Sequence, residues 1–176
     1  CEEQGPRLPA VEARIDQTSV SGISAGAYMA GQFQFAHGDE VIGAAIIAGG
    51  PYGCAESFYA DMMPGPGAAF LNLSRAMNGC MLNALQHWGI PDPKALAARA
   101  SQLAAQGRIS PIKSVREDRI YLFSGREDRT VVPAIVASAF DFYLEIGVPR
   151  ERLVFIDDIA AGHAFVTADT GNRCDL

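Results

Sequence analysis

Three residues of this chain have the chemistry and the surroundings for nucleophilic hydrolysis: Ser24, Asp128 and His163. Ser24 stands in Gly22-Ile23-Ser24-Ala25-Gly26, a G-x-S-x-G pattern in which small flanking residues let a tight strand-to-helix turn lift a serine hydroxyl above a sheet. That hydroxyl is a poor nucleophile until a base takes its proton, so a histidine is required. His37 follows the helix that starts at the serine turn, which carries it to the far end of the sheet. His87 adjoins Trp88 and reads as a packing or surface residue. His163 follows the last predicted strand by a short loop, where a parallel sheet delivers its catalytic base. Asp128 lies on the loop after a predicted strand at the same edge and suits the carboxylate that orients the imidazole and stabilises its cation. Glu127 is its neighbour, while Asp157 and Asp158 lie so near His163 that they read as shaping its loop or pairing with arginines. The order Ser, Asp, His is that of α/β-hydrolases. Ala25 N–H, at the helix amino terminus, is the expected first oxyanion donor.

Other chemistries fit less well. The chain has no H-E-x-x-H, no paired histidines and no Asp-rich calcium loop, and its glycine turn lacks the Gly-Lys-Ser/Thr of a phosphate loop. No cofactor or metal is expected. Cys1, Cys54, Cys80 and Cys174 show no C-x-x-C spacing, which argues against a zinc ribbon or a thioredoxin-type site. Cys54 and Cys80 bracket a loop-rich segment and are the preferred disulfide pair, with two buried thiols as the alternative.

The elements that must position these groups alternate between strand and helix. A strand is expected at 14–21 and a helix at 27–36. The apolar run 41–48, closed by Gly49-Gly50-Pro51, suits a strand buried on both faces of a parallel sheet. Residues 51–114 read as a lid-like insertion with two helices, one at about 70–88 and one in which Asp92 can cap, Pro93 takes the first position, Ala and Leu fill 95–105, and Gly107 ends it. A strand at 119–123, a helix at 133–146 and a strand at 152–156 complete one α/β domain with a mostly parallel sheet. Tyr52, Tyr59 and Trp88 are candidates for substrate contact, as members of an aromatic and methionine set in the insertion that equally suits its own core.

The 176 residues carry a net charge of -6, with basic residues scattered singly from Arg7 to Arg173, so nucleic acid is not an expected partner. The longest apolar runs fall well short of the roughly 18 residues of a membrane span. A start at Cys1, without methionine or leader, suits an exported chain after signal-peptide removal; a lipid anchor on Cys1 and an arbitrary boundary are the alternatives.

Residues 20–56, VSGISAGAYMAGQFQFAHGDEVIGAAIIAGGPYGCAE, closely resemble the secreted or periplasmic short-chain poly(3-hydroxybutyrate) depolymerases, and SGREDRTVVP and AGHAF continue the resemblance. The resemblance implies Ser24 as nucleophile, Asp128 as acid, His163 as base, and hydrolysis of hydroxyalkanoate esters in a polyester or small ester substrate. It also implies a circularly permuted α/β-hydrolase with further sheet elements after the histidine. Since only residues 164–176 follow His163, a chain truncated at its carboxyl end is expected, with a minimal sheet of about four strands as the alternative. The second oxyanion donor then lies outside the region present. A feruloyl, acetylxylan or cutinase-like esterase and an inactive binding module are the competing functions.

Overall fold

Four parallel strands in the order β1-β2-β3-β4 form the sheet of the computed structural model, which describes residues 12–55, 65–82 and 89–167. β1 is Thr18–Ile23, β2 Val41–Ile47, β3 Arg119–Phe123 and β4 Leu153–Ile156. Because the strands run parallel and in chain order, each must be followed by a crossover, and every carboxyl end falls on one edge. Strand pairing brings Gly22, Ile46, Leu122 and Phe155 into one row and Val20, Ala44, Ile120 and Leu153 into another. These rows face the helices α1 (Ala25–Ala36), α3 (Pro93–Ala105) and α5 (Pro133–Glu145) across a core of Phe35, Ile46, Ile120, Leu122, Ile135 and Phe142. The opposite face carries Ser21, Tyr121 and Val154, all exposed among the described residues. A shallow groove lined by Arg119, Tyr121, Glu151, Arg152 and Val154 lies on that side.

Where local chemistry decides an element, the expected boundaries hold. Asp92 Oδ1 accepts from the amides of Lys94 at 2.9 Å and Ala95 at 3.4 Å, capping α3 behind Pro93. Cys54 and Cys80 are joined in a disulfide with their Cα atoms 6.0 Å apart.

Other boundaries moved. The first strand starts later and ends later than 14–21, because a 3-10 turn at Ile15–Gln17 is held by the Arg14–Asp16 ion pair and by Thr18 Oγ1 donating to Ile15 O. The helix expected at about 70–88 is α2, Pro66–Gly79; proline opens it early, and Cys80, held by its disulfide, ends it, while residues 83–88 lie outside the described segments. A five-residue helix α4, Ile112–Arg116, is too short to show in a periodicity.

Away from the sheet's carboxyl edge, α1, α5 and β3 are tied by a buried polar chain. Tyr143 donates to Gln34 Oε1 at 2.8 Å, and Gln34 Nε2 donates to Asp118 Oδ2 at 2.7 Å. Burial pushes the Asp118 carboxyl up to about 6, against the pull of the Gln34 hydrogen bond and the Arg152 charge.

Candidate active site

The turn between β1 and α1 holds Ser24 at φ 56°, ψ -123°, a conformation that non-glycine residues rarely adopt and that costs on the order of 1–3 kcal/mol. The surroundings over-determine it. Ser24 N–H donates to Ile47 O at 3.0 Å, extending the β1–β2 pairing by one residue, and Ser24 C=O accepts from Ala27 at 2.9 Å and Tyr28 at 3.1 Å to open the helix. A Cβ on Gly22 would sit 2.2 Å from the Gly26 carbonyl, so this position requires glycine; a Cβ on Gly26 would meet nothing within 4 Å. Ala25 is the first residue of α1, so its amide is one of the four at a helix start without an intrahelical acceptor.

The loops that carry Asp128 and His163 are stitched together past the ends of their strands. Ser124 N–H donates to Ile156 O at 2.9 Å, Arg126 N–H to Ile159 O at 2.9 Å, and Glu127 N–H to Ala161 O at 3.0 Å. Gly125 permits this approach, since its Cβ would lie 2.1 Å from the Ala161 carbonyl oxygen. The result is a contact between residues 35 positions apart: His163 Nδ1 lies 2.8 Å from Asp128 Oδ2, with the Asp128 side chain 0% and that of His163 23% exposed. The other carboxylate oxygen accepts from the amides of Thr130 at 2.8 Å and Val131 at 3.0 Å. An imidazole whose Nδ1–H is held by a carboxylate presents Nε2 as a proton acceptor.

The structure therefore brings Asp128 and His163 together, while no hydrogen bond joins His163 to the Ser24 hydroxyl. Ser24 follows β1, Asp128 follows β3 and His163 follows β4, all at the same edge. Tyr28, one helical turn beyond Ser24, lies near enough to Asp128 for the carboxylate charge to act on its phenol, although burial is the larger cause pushing that phenol up. No sequence pattern marks Tyr28.

Of the remaining candidates, His37 caps α1 with its ring centroid 4.5 Å from that of Phe33, and Glu127, Asp157 and Asp158 are exposed. Tyr52 is buried and stacks on Phe35 with centroids 4.5 Å apart, the packing arrangement rather than an open cleft position. Tyr59, His87 and Trp88 lie outside the described residues. Among the described residues, no three His, Cys, Asp or Glu side chains gather in a group that would hold a metal ion.

No family model matches the sequence. In three dimensions the chain has the α/β-hydrolase fold: it superposes on the crystal structure of PHB depolymerase from Penicillium funiculosum with a TM-score of 0.73 and 25% identity, over 97% of this chain and 48% of that one. A PHB depolymerase serine-to-alanine variant complexed with R3HB trimer matches equally, at a TM-score of 0.73. By sequence it is 36% identical over 168 residues to the poly(3-hydroxybutyrate) depolymerase of Delftia acidovorans, covering 95% of this chain and 30% of the relative. The polyhydroxybutyrate depolymerase of Talaromyces funiculosus is 28% identical over 173 residues, covering 96% and 44%. The chain is thus similar in sequence and in fold to poly(3-hydroxybutyrate) depolymerases, and it spans less than half the length of these relatives.

Proposed function

We propose that Ser24, His163 and Asp128 are nucleophile, base and acid of a serine esterase that hydrolyses short-chain polyhydroxyalkanoates, poly-3-hydroxybutyrate or its oligomers, through an acyl-enzyme. The observation that carries this reading is the 2.8 Å His163–Asp128 pair, docked at the sheet edge that also bears the strained Ser24 turn. Nε2 takes the Ser24 proton as Oγ attacks the ester carbonyl, and Ala25 N–H at the α1 terminus stabilises the oxyanion. The imidazolium then protonates the departing hydroxyl end of the polymer. Water, deprotonated by the same nitrogen, releases the acid and restores Ser24. The carboxylate stays ionised throughout.

The substrate class is supported by the names of the relatives and by the R3HB trimer in the complex of the structural neighbour. The segment 51–114, stapled by Cys54–Cys80, serves in this reading as the cover of the cleft within a single catalytic domain, with Tyr59 and Trp88 as its candidate substrate contacts. A disulfide suits an oxidising compartment, so a secreted or periplasmic enzyme is proposed; no helix among the described residues is long and apolar enough to cross a membrane.

The test is turnover of a chromogenic short-chain ester and of hydroxybutyrate oligomers by the parent chain and by Ser24→Ala, together with fluorophosphonate labelling read by intact mass. Loss of turnover and of the adduct in Ser24→Ala is expected. Retained turnover in that variant would end the proposal. Faster release from feruloyl sugars or acetylated xylan than from hydroxybutyrate oligomers would redirect the substrate class while leaving the triad.

A further inference from the structure

We propose that Tyr28 is a positioning residue for this site, setting the separation between the nucleophile helix and the acid loop through the disulfide-held dipeptide Cys80–Met81; the inference rests on the triad reading above. Tyr28 is rigidly related to the nucleophile, since its amide donates to Ser24 C=O at 3.1 Å in the first turn of α1. Its hydroxyl leaves the helix to donate to the carbonyl of Cys80, and lies against Gly50. The next carbonyl along, that of Met81, accepts from Val132 N–H at 3.1 Å. Val132 adjoins Val131, whose amide is held by Asp128 Oδ1 at 3.0 Å. Cys80–Met81 is thus gripped from one side by the helix of Ser24 and from the other by the loop of Asp128.

The dipeptide is itself fixed. Cys80 is 2% exposed and disulfide-bonded to Cys54, which is 1% exposed and whose carbonyl accepts from Arg75 Nε at 2.7 Å. A Cβ on Gly50 would lie 2.8 Å from the Tyr28 hydroxyl, so glycine there is what admits the phenol. Deleting the hydroxyl leaves the Cys80 carbonyl without this partner in a half-buried site, and it frees α1 to shift against the acid loop. A misplacement of about 1 Å between reacting groups lowers turnover far more than it lowers substrate binding.

The experiment compares kcat and KM on p-nitrophenyl butyrate for the parent chain, Tyr28→Phe, Cys54→Ala/Cys80→Ala and the triple variant, with Ser24→Ala as the blank, all well below their melting midpoints. Tyr28→Phe is expected to lose about tenfold or more in kcat with KM within about twofold, and to be labelled by fluorophosphonate at a similarly reduced rate. The triple variant should fall no further than the worse of its two parents, because both changes break one linkage. Val132→Pro is the independent check: φ -60° and ψ 144° at that residue accept proline, while the donor to Met81 is removed, and the same kcat loss is expected. A kcat for Tyr28→Phe equal to that of the parent, or losses that multiply in the triple variant, overturns the proposal. If Ser24→Ala keeps turnover, or the parent has none, it is the triad reading that fails, and this inference falls with it.

Discussion

Asp128 divides its carboxylate between two tasks, holding His163 Nδ1 at 2.8 Å with one oxygen and the amides of Thr130 and Val131 with the other. The same side chain therefore orients the imidazole and folds the loop from which it reaches.

That division separates two substitutions. Asp128→Asn can keep the loop amides on its carbonyl oxygen but turns an N–H toward the imidazole, favouring the wrong tautomer; ester turnover should drop by about 10^4-fold with little change in melting temperature. Asp128→Ala should be as inactive and also lose about 1–3 kcal/mol, because two amides lose their acceptor. Denaturant melts alongside turnover distinguish the two.

Backbone strain at Ser24 predicts an inversion of the usual preference for alanine over glycine. At φ 56°, ψ -123°, Ser24→Gly should be about 1 kcal/mol more stable than Ser24→Ala in urea melts, with both expected to lack turnover. Equal stability would mean that the turn is unstrained.

The glycines of the site differ in what they admit. Gly125→Ala would drive a methyl group into the Ala161 carbonyl, and it is expected to cost about 2–3 kcal/mol and to detach His163 from its carboxylate, visible as lost turnover and lost fluorophosphonate labelling. Gly26→Ala meets no neighbour and sits in a helix, so a gain of about 0.5–1 kcal/mol is expected.

Asp118 sets a pH dependence unrelated to catalysis. Its carboxyl is pushed up to about 6 in the folded chain, so between its ordinary value of 3.8 and about pH 6 the native state holds a proton that the unfolded state has released. This group therefore makes stability fall as pH rises through that window and level off above it. Denaturant melts across pH 3.5–7 should show the fall in the parent chain and a flatter profile in Asp118→Asn; the same slope in both would assign it elsewhere.

Reducing the Cys54–Cys80 bond frees a loop spanning 26 positions, for which chain entropy alone predicts a loss of about 3.5 kcal/mol. Melting with and without reductant measures it, and an unchanged midpoint would show that the fold does not depend on the staple.

Features determined within a few residues were legible from the sequence alone. The serine turn, the Asp92 cap, the strands at 119–123 and near 41–48, and the succession of strand and helix follow from side-chain size, capping chemistry and apolar periodicity, which act locally along the chain. The order of Ser24, Asp128 and His163 was legible for the same reason, because each follows an element whose type is locally set. Tertiary structure decided the rest. The joining of Cys54 to Cys80 among the pairings open to four cysteines, the Gly125–Ala161 approach that delivers His163 to Asp128, the burial of Tyr52 and the reach of Tyr28 to Cys80 all depend on how distant segments dock. No periodicity records that docking, since it is settled only when parallel strands adopt their order and their loops pack against one another over one edge of the sheet.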